Sequence, residues 1–244
     1  MPGEARAFLI AFVLVAAWES YARAQDPPSR WGRLFPSVFL TSDYRYDGQS
    51  LNSHKPTVQA SLYWWRPDNF YAGVWISRVD FSDLGDPTTS FEVEVYGGRN
   101  LHVGRTELTL EGMYSLFPDK NLPGPTYDFF TAKARLRRSI GSLTVGSSIA
   151  AIPDAPYDGG PAWRVNEEVS HRWSPWLKTG GQVGRRWSMR AVDRTFWDLG
   201  VTTTWKKVSL DLRYSDTNLS VAECGGVNWC EAGVGATLQL DLWK

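Results

Sequence analysis

The stretch that decides the fold class lies near the C-terminus and reads Val208-Ser209-Leu210-Asp211-Leu212-Arg213-Tyr214. Apolar and polar side chains alternate at every position. This period of two residues is typical of a β-strand whose two faces lie in different environments. The same alternation recurs in residues 92–95, 108–111 and 236–242. No stretch of comparable length after residue 25 repeats apolar residues at helical spacing, so the sequence predicts an all-β protein.

Turn-forming residues divide the chain into twelve predicted strands. Five tight connections alternate with six longer polar stretches, which recur about every 32 to 36 residues, the period of two strands with one short and one long connection. A helical solenoid has a similar period, but it needs apolar residues at helical spacing, and their absence argues against it. The strands are predicted near 37–46, 56–66, 70–81, 91–98, 105–116, 127–138, 142–152, 163–172, 176–187, 195–205, 207–215 and 232–242.

An even strand count with short turns at one end and long loops at the other is typical of a transmembrane antiparallel up-and-down β-barrel. In lipid such a barrel must close, because an open edge would leave backbone groups without partners. We therefore predict a transmembrane β-barrel of about 12 strands over residues 37–244.

Aromatic residues are abundant, with 13 Trp, 10 Tyr and 11 Phe, and Trp and Tyr are enriched where protein meets the membrane interface. One predicted belt adjoins the tight turns and contains Trp64, Trp65, Phe70, Tyr71, Trp173, Trp176 and Trp205. A second adjoins the longer connections and contains Tyr44, Tyr46, Phe81, Phe91, Tyr114, Phe117, Tyr127, Trp187, Trp197 and Tyr214. A soluble barrel or sandwich with these aromatics in its core is the alternative. The two belts, the strand lengths and the loop asymmetry favour the membrane.

The N-terminal segment, residues 1–24, is predicted to be a secretory signal peptide. Residues 7–18 are apolar, and Ala22-Arg23-Ala24 fits a cleavage site before Gln25. A membrane anchor is the alternative, but about 12 apolar residues are too few to span a bilayer. Export, a periplasmic lead-in over residues 25–36 and a barrel together predict the outer membrane as location, with its lipid as a partner.

Cys224 and Cys230 are the only cysteines, and five residues separate them. In an oxidising compartment this spacing favours a loop disulfide over two free thiols. No metal site or cofactor is predicted, because the three histidines lie far from the cysteines in sequence. Lys plus Arg equals Asp plus Glu at 26 each, which argues against a nucleic-acid partner.

Four segments in order resemble the TorF family of outer-membrane porins: FLTSDYRYDGQS at 39–50, NFYAGVWISRVDF at 69–81, FEVEVYGGRN at 91–100 and LDLRYSDTNL at 210–219. The resemblance covers residue 35 to the C-terminus and implies an outer-membrane barrel with a channel role. Two features depart from the family pattern. Asp47 stands where the family usually has a basic or neutral residue, and the chain ends on Leu242-Trp243-Lys244 rather than on an aromatic residue.

If apolar side chains face lipid, their neighbours in the alternation line the interior. A basic side chain on the lipid face would cost about 2–4 kcal/mol near mid-membrane. A mixed-charge wall either selects solutes or forms a salt-bridge lattice that fills the barrel. The sequence is therefore compatible with a narrow conducting pore and with a plugged barrel. The candidate pore-lining residues are Asp43, Arg45, Glu92, Glu94, Glu111, Lys133, Arg135, Arg137, Asp198, Asp211, Arg213 and Asp241.

No catalytic residue is predicted, because none of His54, His102 and His171 lies in a nucleophile motif and no Gly-x-Ser-x-Gly elbow is present. The sequence therefore favours a passive channel for ions or small polar solutes. The alternative is a non-conducting surface barrel that binds a partner through its external loops, especially the loop of Cys224 and Cys230. The oligomeric state stays open.

Overall fold

The computed structural model describes residues 31–121, 123–124 and 126–243. Within them, fourteen strands and two short 3-10 turns form, and no helix of this part of the chain is long and apolar enough to cross a membrane. The predicted signal peptide lies outside the described residues. The strands are β1 (Arg33–Thr41), β2 (Arg45–Tyr46), β3 (Gln49–Ser50), β4 (Thr57–Trp65), β5 (Phe70–Arg78), β6 (Phe91–Val103), β7 (Thr106–Leu116), β8 (Phe129–Ile140), β9 (Leu143–Ala155), β10 (Gly160–Ser174), β11 (Leu177–Ser188), β12 (Arg194–Trp205), β13 (Val208–Thr217) and β14 (Gly233–Asp241).

Twelve of these strands close an antiparallel barrel, as the sequence predicts. Each of β4 to β14 pairs with its neighbour in the chain, and β1 pairs with both β4 and β14. In β13 the apolar residues Leu210 and Leu212 are exposed on the outer surface, at 39% and 44%, while Asp211 and Arg213 form ion pairs inside. The outer face of the barrel is therefore mainly apolar, and its ion-pair lattice lies inside.

The two ends of the barrel differ in their connections, also as predicted. Residues 66–69, 104–105, 141–142, 175–176 and 206–207 join strands at one end, called here the turn end. Gly104, Gly141 and Lys206 have φ angles near +60°, as the favoured turns of two-residue hairpins require. Six connections lie at the other end, called here the loop end. Five of them are longer and include 42–56, 79–90 and 218–232, while 156–159 is as short as 66–69.

The first strand differs from its prediction of 37–46. β1 begins at Arg33, inside the segment 25–36 that the sequence assigned to a lead-in, and its pairing with β4 ends at Thr41. Beyond Thr41 the chain leaves the barrel wall, and Asp47 and Gly48, with φ angles of 49° and 80°, form the tight turn between β2 and β3. Apolar-polar alternation continues through this hairpin, so alternation alone did not mark the end of β1.

Buried apolar side chains gather at the loop end rather than along the barrel. We call this group the aromatic cap, and its described members are Val79, Phe81, Phe117, Tyr127, Phe129, Ile152, Ala155, Ala162, Cys224, Trp229 and Cys230. The predicted placement of Phe81, Phe117 and Tyr127 in a lipid belt is wrong, because these rings pack on one another inside. They lie in connections, where strand alternation does not fix the direction of a side chain. Trp173, Trp176 and Trp205 are exposed at the turn end, as a belt requires.

Candidate functional site

The barrel wall carries ion pairs between neighbouring strands along its inner face. Lys133 on β8 lies 2.6 Å from Glu111 on β7, and Arg213 on β13 pairs with both Asp198 and Asp211. Asp241, on β14, accepts hydrogen bonds from Ser37 of β1 at 2.8 Å and from Gln239 at 2.7 Å. These candidate pore residues are thus held in a lattice on the wall.

Arg135 and Arg137 pair with Glu168 on β10. Glu168 was not among the pore-lining residues predicted from the sequence. The two arginines reach across β9, where Gly146 lies opposite both Arg137 and Glu168. A Cβ atom at position 146 would clash with the Glu168 side chain, so glycine is needed for this contact. The signal for Glu168 was present, because Val165 and Val169 face outward and place Glu168 on the opposite face.

The connection of residues 42–56 folds into the barrel, and we call it the inward hairpin. Near its base, Asp43 lies 3.1 Å from Arg45 and 2.9 Å from Nδ1 of His54, and it accepts a hydrogen bond from Ser50 at 2.6 Å. Arg45 also donates to the carbonyl of Glu231. Asp43 and Arg45, predicted as wall residues, therefore lie inside the barrel but on the hairpin.

The tip of the inward hairpin reaches the opposite wall. The Asp47 carboxylate, only 4% exposed, lies 3.1 Å from Arg164 on β10 and 3.0 Å from Arg194 on β12. Arg164 also donates to the Tyr46 hydroxyl at 2.7 Å. Burial alone would raise the pKa of Asp47, but the guanidinium groups of Arg164 and Arg194 hold this pKa below its usual value. Tyr46 was predicted in the outer belt and is instead part of this cluster.

Two further contacts fix the hairpin to its surroundings. The Tyr44 hydroxyl donates to Glu92 at 3.0 Å, so Tyr44 also lies inside rather than in the predicted belt. The Gln49 amide lies 3.2 Å and 3.1 Å from the sulfur atoms of Cys224 and Cys230, which form the predicted disulfide. On the wall itself, away from the hairpin, the candidate pore residue Glu94 of β6 accepts a hydrogen bond from Ser115 of β7 at 3.4 Å.

A polar cavity of about 460 Å³ lies between the inward hairpin and the wall. Charged side chains from both sides surround it, among them Asp43, Arg45, Arg137, Glu168, Lys178 and Asp198. Such a space suits water, ions and small polar molecules. Across residues 31–121, 123–124 and 126–243 no group of three His, Cys, Asp or Glu side chains is arranged to hold a metal ion.

A serine–histidine contact is present at the turn end. Ser142 Oγ lies 2.8 Å from Nε2 of His171, and among the described residues nothing hydrogen-bonds to Nδ1 of His171. A catalytic serine needs a base that a third group orients and an oxyanion site. The contact lacks the orienting group, and it gives no support to a hydrolase site.

The family to which the chain belongs follows from its sequence. Residues 29–242 match the model of a family described as a bacterial protein of unknown function, Gcw_chp, and the chain is a member of that family. No curated protein matches the chain. Since the matching family has no assigned function, the resemblance to the TorF family stays a prediction.

Several solved structures share the barrel. The NanC porin superposes with a TM-score of 0.60 and 8% identity, covering 86% of this chain and 99% of that chain. The KdgM porin in complex with disordered oligogalacturonate gives 0.59 and 6% identity, covering 85% and 98%. Outer membrane phospholipase A from Escherichia coli gives 0.50 and 12%, covering 89% and 94%. At such low identity these likenesses show the fold, which channels and an enzyme share.

Proposed function

We propose that this protein is an outer-membrane channel that admits ions or small polar solutes through a mixed-charge interior. The observation that carries the proposal is the polarity of the barrel, with apolar side chains outside and ion pairs inside. An exposed apolar surface is suited to lipid, and a closed barrel leaves no strand edge with unpaired backbone groups there. The structural similarity to porins and the predicted signal peptide also support an outer-membrane channel.

The inward hairpin makes the channel narrow. Its tip contacts β10 and β12, so it divides the interior and leaves the polar cavity beside it as the path for solutes. Passage then depends on the charged side chains that line the cavity, since ions and polar groups must exchange hydration for these contacts.

The aromatic cap supports a second candidate function. Together with the inward hairpin it fills much of the loop end, which also suits a non-conducting barrel that binds a partner at the cell surface. The two functions differ in one measurable property, because only a channel carries ionic current across a bilayer.

Single-channel recording on refolded mature protein, residues 25–244, tests the proposal. We expect discrete current steps, and larger steps from a variant in which residues 43–54 are replaced by a short Gly-Ser linker, since this removes the hairpin from the interior. The matched control is Asp158→Asn, which alters only an exposed loop pair with Arg190. Closed traces at every ionic strength from both the parent protein and the linker variant would contradict the channel and favour the surface-binding barrel.

A further inference from the structure

A second cavity lies at the loop end, between the inward hairpin and the aromatic cap. Its volume is about 480 Å³, which suits a small organic molecule. Seven aromatic rings line it: Tyr46, Phe81, Phe117, Tyr127, Phe129, Tyr157 and Trp229. Unlike the polar cavity below it, this one therefore offers an apolar surface to a ligand.

Arg186 of β11 lines this cavity, and no described residue forms an ion pair with it. It is 6% exposed, and among the described residues it forms no ion pair, while its Nε is buried without a hydrogen bond. Its neighbours Arg164 and Arg194 already share the single carboxylate of Asp47. Arg186 also interacts electrostatically with this carboxylate, so three guanidinium groups share one acid. A buried charge without a counterion is costly, so an anion beside Arg186 would be stabilised.

The other charged side chains of the cavity wall are occupied. Glu92 accepts a hydrogen bond from Tyr44, and Glu223 accepts from the backbone amide and hydroxyl of Ser220. Arg194 contacts Asp47 and Gln49. Among the described residues that line the cavity, Arg186 is therefore the charged group left for a ligand.

We propose that this cavity binds a small amphipathic anion, an aromatic or branched apolar body that carries one carboxylate. The carboxylate pairs with Arg186, for which a planar two-oxygen acceptor is well suited, and the apolar body packs against the aromatic rings. The site lies at the loop-end entrance of the proposed channel, and its role in solute recognition rests on that function. A neutral analogue loses the ion pair, and a strongly hydrated anion gains nothing from the rings.

Calorimetric titration of 2-naphthoate into the mature protein in lipid nanodiscs tests the site, with empty nanodiscs subtracted for partition into lipid. The neutral isostere 2-naphthamide measures the contribution of the charge. The test variant is Arg186→Gln. The matched control is Arg185→Gln, because Arg185 is the adjacent residue on the outer face, where it lies 3.7 Å from Asp193 and over the ring of Trp187.

We expect saturable binding of 2-naphthoate to the parent protein and to Arg185→Gln, and about tenfold weaker binding to Arg186→Gln. The parent protein should bind 2-naphthamide more weakly than 2-naphthoate by a similar factor. A gel shift between unheated and heated samples shows that each variant is folded. No saturable binding to the parent protein, or equal affinity of the parent and Arg186→Gln, would overturn the site. Current without naphthoate binding contradicts the site alone, whereas binding without current contradicts the channel alone.

Discussion

Asp47 at the tip of the inward hairpin lies 3.1 Å from Arg164 on β10, five strands around the barrel from β1, where the hairpin begins. The contact joins nearly opposite walls through the interior. Because Asp47 also lies 3.0 Å from Arg194, one carboxylate holds two strands of the far wall. The hairpin is thus a brace across the barrel as well as a constriction.

Replacing Asp47 by Asn should loosen this brace. Removing one partner of a buried ion pair leaves the remaining charges uncompensated, and we expect the free energy of unfolding to fall by about 3 kcal/mol. Urea unfolding in lipid vesicles, followed by tryptophan fluorescence, measures the change. Asp158→Asn, which removes an exposed carboxylate 3.6 Å from Arg190, should leave the stability unchanged. Equal stability of the two variants would contradict the bracing role of Asp47.

The brace should also respond to acid in a defined direction. Burial opposes the charge of Asp47, but Arg164 and Arg194 outweigh it and keep the pKa of Asp47 below its usual value of about 3.9. A lowered folded-state pKa gives stability that is present above the unfolded-state pKa and is lost as pH falls through the folded-state value. We therefore expect the hairpin to stay docked from neutral pH to about pH 4 and to be released below it.

Channel current as a function of pH checks this expectation. The parent protein should show a rise in conductance only below about pH 4, whereas Asp47→Asn should show none in that range. An increase near pH 6, or the same acid transition in both proteins, would assign the response to another group.

The disulfide should stabilise the loop end. In the chain-entropy account a short loop such as that of Cys224 and Cys230 contributes about 2 kcal/mol, and its sulfur atoms also contact Gln49. We expect Cys224→Ser/Cys230→Ser to be less stable by about that amount and to conduct more, because the hairpin loses a contact. Mass spectrometry after alkylation should find no modified thiol before reduction and two after it. Alkylation without reductant would contradict the bridge in the exported protein.

Glu167 and Glu168 are adjacent acids on opposite faces of β10, and their replacement should have opposite effects. Glu167 is exposed on the outer face at the middle of the strand, where its partner is the Ser147 hydroxyl at 2.6 Å. An acid facing lipid costs free energy, so Glu167→Val should raise the free energy of unfolding by about 1 kcal/mol. Glu168→Val removes the partner of Arg135 and Arg137 and should lower it. Urea unfolding in lipid vesicles compares the two, and a loss of stability in Glu167→Val would indicate that the hydrogen bond from Ser147 outweighs the cost of the outer carboxylate.

The sequence predicted the barrel because the features that define it are local. Strand alternation has a period of two, and each connection is set by the few residues that form it, so strand order and the two unlike ends follow from residues close in the chain. The disulfide was likewise predictable from a short spacing. The inward direction of the charged wall residues was also predictable, because the inward face of a strand is known once its outward face is known.

The interior could not be predicted in the same way. The pairing of Asp47 with Arg164 joins residues 117 positions apart, and nothing near either residue indicates it. The turn at Asp47 and Gly48 carried a hairpin signal, but not the direction in which the hairpin folds. The rings of Phe81 and Phe117 lie in connections, where no period determines which way a side chain points.

The inward hairpin follows the first strand of the barrel, yet several of its partners come at the end of the chain. Gln49 contacts the cysteines of the last connection, Arg45 donates to Glu231, and His54 lies 3.0 Å from the carbonyl of Asn228. These groups all lie in the connection that leads into β14, the strand that closes the barrel on β1. The seam between the first and last strands and the constriction are therefore linked, and a barrel opened at this seam would also lose contacts that hold the hairpin in the interior.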